Sequence, residues 1–276
     1  MANPALTDKR FNEVREDDPG WAAPATASSL DTTAGATATA GGVAVPRPGT
    51  KVMTANGTFA KTFFLFLFVL AGGAFGWSQV TPSPANAQQL QMPGWIWLPL
   101  IGALVTAFAC IFKPKASPVL APVYALLEGV VLGAISKLFE ANWNGIVFQA
   151  VLATAAAFFV TLALYVFGVV KVTQRMRMVV IGATIGIAVM YMLALLLSVF
   201  GVDITFLNDS SPLSIGISVL ICGVATFNLF LDYDFIQRAT AAGAPKYMEW
   251  YGAFGIMITL VWLYLEFLRL FAKLRS

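Results

Sequence analysis

What most limits the folding of this chain is a series of apolar blocks, each about as long as a bilayer is thick. They lie at residues 62–78, 95–112, 119–139, 146–168, 178–200, 213–236 and 250–273. As a helix rising 1.5 Å per residue, about twenty apolar residues cross roughly 30 Å of hydrocarbon. Of the 276 residues, 58% are hydrophobic and 11% charged, and the mean hydropathy is +0.77. A soluble domain of that composition has too little polar surface to stay in solution. The expected fold is therefore an all-α membrane protein with seven transmembrane helices. The net charge of +3 does not point to nucleic acid, because the basic residues sit in short loops between the blocks.

The N-terminal stretch has another character. "ATASSLDTTAGATATAGGVAVPRPG" (Ala25 to Gly49) holds almost no large side chains and cannot bury enough surface to offset its ordering entropy. Residues 1–58 are expected to form a disordered cytoplasmic tail, with Glu16 to Asp18 solvated. The seven-helix domain would then occupy residues 59–276. No apolar run follows a basic start within the first thirty residues, so the first span reads as the insertion signal.

Lys and Arg near the spans set the orientation. Lys51, Lys61, Lys113, Lys115, Lys171, Arg175, Arg177, Arg238 and Lys246 fall on one side, and the opposite loops hold only Lys137, with Glu140, Asp203 and Asp209. That asymmetry predicts a cytoplasmic N-terminus. Arg269, Lys273 and Arg275 disagree: a seventh helix that spans fully carries them outside. A full span is favoured over a re-entrant one. Three spans carry Gly-x-x-x-Gly, at Gly72/Gly76, Gly129/Gly133 and Gly182/Gly186, and these read as helix-packing sites rather than hinges.

Several chemistries are missing. The chain has no histidine, and Cys110 and Cys222 both lie inside predicted spans, where they read as small core residues. There is no P-loop and no Gly-x-Ser-x-Gly or His-Glu-x-x-His motif. No enzymatic activity and no resident cofactor are expected.

The acids within the spans are few. "NLFLDYDFIQ" (Asn228 to Gln237) closes the sixth block with Asp232 and Asp234; Glu128 lies midway along the third, and Glu266 lies in the seventh. An ionisable group at the bilayer centre costs roughly 2.5–3.5 kcal/mol on insertion scales. Each acid is therefore either satisfied in a packed interface or faces a functional pathway. Asp232 and Asp234 stand about 200° apart on a helix and cannot share a proton with each other.

"YALLEG" in the third block, "YDFIQ" in the sixth and "LYLEFLRLF" in the seventh resemble the transmembrane Bax inhibitor motif family, in its bacterial YccA-like branch. The run "GAPKYMEWYGAFGIMITLVWLYLEFLRLF" carries most of the likeness, which covers about residues 60–276. The resemblance implies six helices wrapped around the C-terminal one. It also implies a pH-sensitive calcium leak, controlled by a carboxylate pair on helices six and seven, in the plasma (inner) membrane of a prokaryote. By motif the pair is Asp234 and Glu266, at a position where the family more often has Asp. The latch on the helix-six acid would be Lys113 or, second, Lys115. With a shared proton held, the helices stay clasped; with it lost, the acids repel and the freed oxygens attract Ca²⁺. Two carboxylates supply too few of the six to eight oxygens calcium prefers, so binding would be weak and transient. Asp232 would be a boundary residue.

Two further points bear on that picture. A seventh helix starting at Trp250 puts Glu266 about 24 Å up the axis, out of reach of Asp234. The pair meets only if Ala244 to Tyr251 is an interfacial stretch and the span begins near Phe254, or if helix six reaches less deep. The competing functions are a proton-coupled membrane transporter and a non-transporting membrane regulator of a protease or of a cell-death or stress pathway. The partners expected are the lipid bilayer, calcium ion and other membrane proteins. Cysteine placed at Arg175 or in the N-terminal tail is expected to escape labelling from outside intact cells; labelling at position 175 would invert the topology.

Overall fold

The computed structural model describes residues 52–82, 90–201 and 209–276. Seven helices are long and apolar enough to cross a membrane: α1 (Ala55–Gln79), α2 (Trp97–Phe112), α3 (Ser117–Asn142), α4 (Ile146–Val166), α5 (Gln174–Val199), α6 (Pro212–Ala241) and α7 (Met248–Arg275). They correspond one to one with the apolar blocks. The tail up to residue 51, with Asp203, lies outside the described residues. Helix α1 starts ahead of residue 59, because Thr54 caps it by accepting from Gly57 N–H at 3.1 Å. Ser211 caps α6 in the same way and Pro212 occupies its first turn. A two-residue antiparallel pair, β1 (Thr81–Pro82) with β2 (Leu90–Gln91), joins α1 to α2.

Helix α7 is the centre. It packs against α1, α3, α4 and α6, while α2 lies outboard on α3 and α5 leans mainly on α6. The most apolar windows of α3 and α7 are 56% buried and those of α4 and α5 only 17%. The lipid-facing helices therefore carry their apolar residues outward, and the inner ones carry them inward. Tyr251, Phe254, Ile256 and Leu263 of α7 are fully buried, with Leu65, Ala121, Ala125, Ala225 and Leu229 around them. Tyr124 meets Phe254 edge to face at 5.1 Å.

Two of the three glycine pairs do the close packing expected of them, and they do it against each other. A Cβ on Gly72 would sit 2.3 Å from Leu126 O, and one on Gly76 2.0 Å from Val130 O. From the other side, a Cβ on Gly129 would sit 2.4 Å from Val69 O and one on Gly133 2.0 Å from Gly73 O. The α1 and α3 backbones thus touch, which only glycine permits. The third pair departs from expectation: Gly182 and Gly186 have nothing within 4 Å of a built Cβ, because that face of α5 points away from the bundle.

The C-terminal cations settle the course of α7. Lys273 Nζ donates to Ser218 Oγ at 2.8 Å on the opening turns of α6. Arg275 donates to Asn144 O at 2.8 Å and Gln149 Oε1 at 2.7 Å, beside the α3–α4 turn. Those partners lie at the far end of the bundle, opposite the near end where α1 begins, so α7 runs its full length without re-entry.

Gly133→Ala is expected to destabilise the fold by about 1–3 kcal/mol, since its methyl meets backbone rather than a movable side chain. Gly186→Ala is expected to stay within about 0.5 kcal/mol of the parent. Thermal unfolding in one detergent, read side by side, checks both.

Candidate functional site

Helix α6 is unbroken to Ala241, and its end turns over at Gly243, whose φ of 69° is the left-handed conformation glycine accepts freely. Helix α7 begins five residues later at Met248. Ala244 to Tyr251 is thus not a long interfacial stretch, and the register of the two antiparallel helices follows. Thr259 Oγ1 donates to Asp232 Oδ2 at 2.6 Å, which places residue 232 level with residue 259. At 1.5 Å per residue, Glu266 lies about 10 Å beyond that level and Asp234 about 3 Å before it, an axial gap of roughly 13 Å. No hydrogen bond joins Asp234 to Glu266 among the described residues. The expected shared-proton pair is absent for the reason the sequence already raised.

The two aspartates exchange roles. Asp232 is 1% exposed and faces α7. Asp234, on the opposite side of α6, turns to α5, where Arg177 Nη2 donates to its Oδ2 at 2.8 Å; Arg238, one turn along α6, donates to the same oxygen at 3.1 Å. Tyr165 of α4 donates to Gln237 nearby. Lys113 and Lys115 are exposed and make no ion pair with Asp234. The cation that reaches Asp234 from another helix is Arg177 of α5, through an N–H···O contact, in place of the expected lysine.

Glu266 is 2% exposed and surrounded by donors. Tyr191 of α5 donates to its two oxygens at 3.0 and 3.1 Å, Trp262 Nε1 donates at 3.2 Å, and Arg269 Nη1 lies 3.2 Å from both oxygens. The Arg269 guanidinium also stacks over the Tyr191 ring at 4.8 Å. Arg269 is therefore not a stray external cation but the counter-ion of Glu266. Glu128, half-buried, lies on the stripe of α3 that carries Ala121, Tyr124, Ala125 and Leu132 and faces the core. Neither a hydrogen bond nor an ion pair reaches it among the described residues.

Helix α5 connects these acids. Arg177, Thr184 and Tyr191 are seven residues apart and so share one face. Arg177 holds Asp234, Thr184 Oγ1 accepts from Asn228 Nδ2 at 2.9 Å, and Tyr191 holds Glu266. One polar stripe on α5, which with α4 is the least buried of the seven helices, thus engages α6 and α7 at three depths.

A second cluster lies at the near end. Glu249, in the first turn of α7, is fully buried. It accepts from Thr54 N at 2.9 Å, Thr54 Oγ1 at 2.8 Å, Lys246 Nζ at 2.7 Å and Lys61 Nζ. Met53 N donates to Ala244 O at 2.7 Å beside it. This carboxylate fastens the start of α1 to the start of α7. Sequence reasoning passed over Glu249, although it stands in "KYMEWY". It also used Arg177 only as a topology marker. The local pairs Asp234/Arg238 and Glu266/Arg269, four and three residues apart, were within reach of helix spacing alone. No group of three or more His, Cys, Asp or Glu converges on a metal-sized site among the described residues.

The model of the family described as Bax inhibitor 1 like matches residues 3–276. The match reaches nearer the N-terminus than the motif likeness over 60–276. No curated protein and no solved structure matches the chain.

Removing Arg269 alone leaves a buried carboxylate short of its counter-ion. Arg269→Met is expected to lower stability by roughly 3 kcal/mol or more, and the double change with Glu266→Gln to recover most of that. Unfolding of the two single variants and the double variant as a thermodynamic cycle measures the coupling.

Proposed function

The chain belongs to the Bax inhibitor 1-like family of multi-pass membrane proteins, and from that premise we propose that it is a pH-sensitive calcium-permeable leak channel gated by α5. The observation that carries the reading is the α5 stripe: one helix supplies a partner to Asp234 through Arg177 and to Glu266 through Tyr191. Carboxylates within a membrane are costly unless function retains them. Three of them, Asp234, Asp232 and Glu266, stand at successive depths along α6 and α7. While α5 is docked, Arg177 and Tyr191 occupy oxygens of Asp234 and Glu266, Thr259 of α7 holds Asp232, and the path is shut. When α5 moves out, Asp234 loses Arg177 and Glu266 loses Tyr191, while Arg238, Arg269 and Trp262 stay on their own helices; the partly released oxygens give a passing Ca²⁺ weak successive contacts rather than one tight site.

The gating follows from the partners. Arg177 holds Asp234 from α5, so losing that ion pair loosens α5 and opens the path. The partner is a cation and not a second acid, so the hold is an ion pair rather than a shared proton. The N-terminus and the Arg177 mouth are cytoplasmic in this reading, set by the basic asymmetry of the loops, and the membrane is a prokaryotic plasma membrane. The protein carries no catalytic chemistry. Glu128 supports the second reading, a proton-coupled transporter, since a half-buried acid in mid-span without an ion partner suits alternate loading and release of a proton.

In liposomes holding only the purified protein, calcium entry should exceed that of protein-free vesicles and change with pH. Arg177→Gln should raise flux at neutral pH by roughly tenfold, the loss of one charged hydrogen bond, whereas Asp234→Asn, which breaks the same pair but also removes a charged contact for the ion, should raise it less. Flux no greater than in empty vesicles at any pH would leave the non-transporting regulator. Flux that requires an imposed proton gradient would favour the transporter.

A further inference from the structure

At the near end, between the first turns of α1 and α7, lies an open groove of about 340 Å³ lined by Gly57, Ala60, Lys61, Phe64, Lys246 and Trp250 over the buried Glu249. We propose that this groove binds the phosphate headgroup of an anionic phospholipid. Glu249 positions the two lysines but does not exhaust them. An ammonium has three N–H donors; Lys61 and Lys246 each give one to Glu249, and no other acceptor meets either of them among the described residues. Two cations against one carboxylate leave the groove with a net positive charge. The Lys246 side chain is 45% exposed, so its remaining donors are open to a ligand.

The floor and wall decide between a lipid and a dissolved anion. Trp250 lies under the Lys61 ammonium at 5.5 Å, and Phe64 meets its ring edge to face at 5.9 Å. Phe64 is 44% exposed toward the lipid-facing side of α1. A headgroup phosphate would take the free lysine donors while its glycerol and upper acyl chain lie along Phe64 and Trp250. Tryptophan at this depth is the usual interfacial anchor, and basic pockets between transmembrane helices suit phospholipid headgroups. Gly57 keeps the site open: a Cβ there would sit 2.3 Å from Glu249 Oε1, forcing apart the carboxylate that aims the lysines. A lipid seated here touches both α1 and α7 and so reinforces the junction that Glu249 makes.

The test is native mass spectrometry of the full chain released from non-ionic micelles, titrated with dioleoyl phosphatidylglycerol or dioleoyl phosphatidylcholine. The parent should retain phosphatidylglycerol in preference to phosphatidylcholine. Lys246→Gln should weaken that retention about fivefold, the effect of one basic group at a membrane surface. Lys246→Arg should restore it, and Lys171→Gln/Arg175→Gln, exposed cations on the same side, should leave it unchanged. Equal retention of the two lipids, or no loss in Lys246→Gln, overturns the proposal. Displacement of phosphatidylglycerol by soluble glycerol phosphate at matched concentration also overturns it and assigns the groove to a free phosphate. A measurement that does not depend on the lysine variants uses vesicles of phosphatidylcholine doped with brominated phosphatidylglycerol. The fluorescence lost between the parent and Trp250→Phe should be quenched at a lower fraction of that lipid than of brominated phosphatidylcholine, and equal quenching overturns the assignment.

Discussion

A charge taken into hydrocarbon must bring its partner with it, and in this protein the central helix has four to settle short of its exposed end at Arg275. Glu249, Glu266, Arg269 and Lys273 of α7 are answered from three different helices. Thr54 and Lys61 of the α1 start answer Glu249. Tyr191 of α5 answers Glu266 and Arg269 together. Ser218 of α6 answers Lys273. A helix that needs partners on several sides at several depths can only sit in the middle. The polar requirement of α7 and its apolar burial therefore select the same position, and Ser136 bonding Tyr264 at 2.6 Å adds α3 to the ring.

The attachments are not equally stiff. Between α1 and α3 the contact is backbone on backbone through four glycines, and such packing yields little without separating altogether. Glu249 then fastens α1 to α7 at the near end, giving a rigid unit of three helices. Helix α5 is held differently. Most of its surface faces outward, and Arg177, Thr184 and Tyr191 supply polar contacts in place of a broad apolar seam. Elements with little buried apolar surface are the ones that open first. The same helix covers both Asp234 and Glu266, so the part most able to move is the part that holds these two acids.

Several features were legible in the residues because they follow from short-range rules. Seven apolar blocks gave seven helices, since length and hydropathy act locally. The glycine pairs on α1 and α3 announced close packing correctly, but the identical spacing on α5 did not, because a motif states what a face permits and not whether another helix arrives there. The same limit governed the acids. Helix geometry put Asp232 and Asp234 on opposite sides of α6, and that arrangement holds. Which of the two faced α7 depended on how α6 was rotated, and no local rule sets rotation.

The sequence by itself determined the membrane class, the number and order of the spans, the membership of the C-terminal motifs, and the small set of ionisable groups that lipid forces to be paired. Tertiary structure alone decided the pairings. Asp234 found Arg177, fifty-seven residues away, Glu266 found Tyr191, seventy-five residues away, and Glu249 found Thr54 and Lys61 near the other end of the chain. The reason is register. Where α6 stops and α7 starts fixes Thr259 beside Asp232, and that one alignment holds Asp234 and Glu266 roughly 13 Å apart along the bundle, a distance that no motif on either helix encodes.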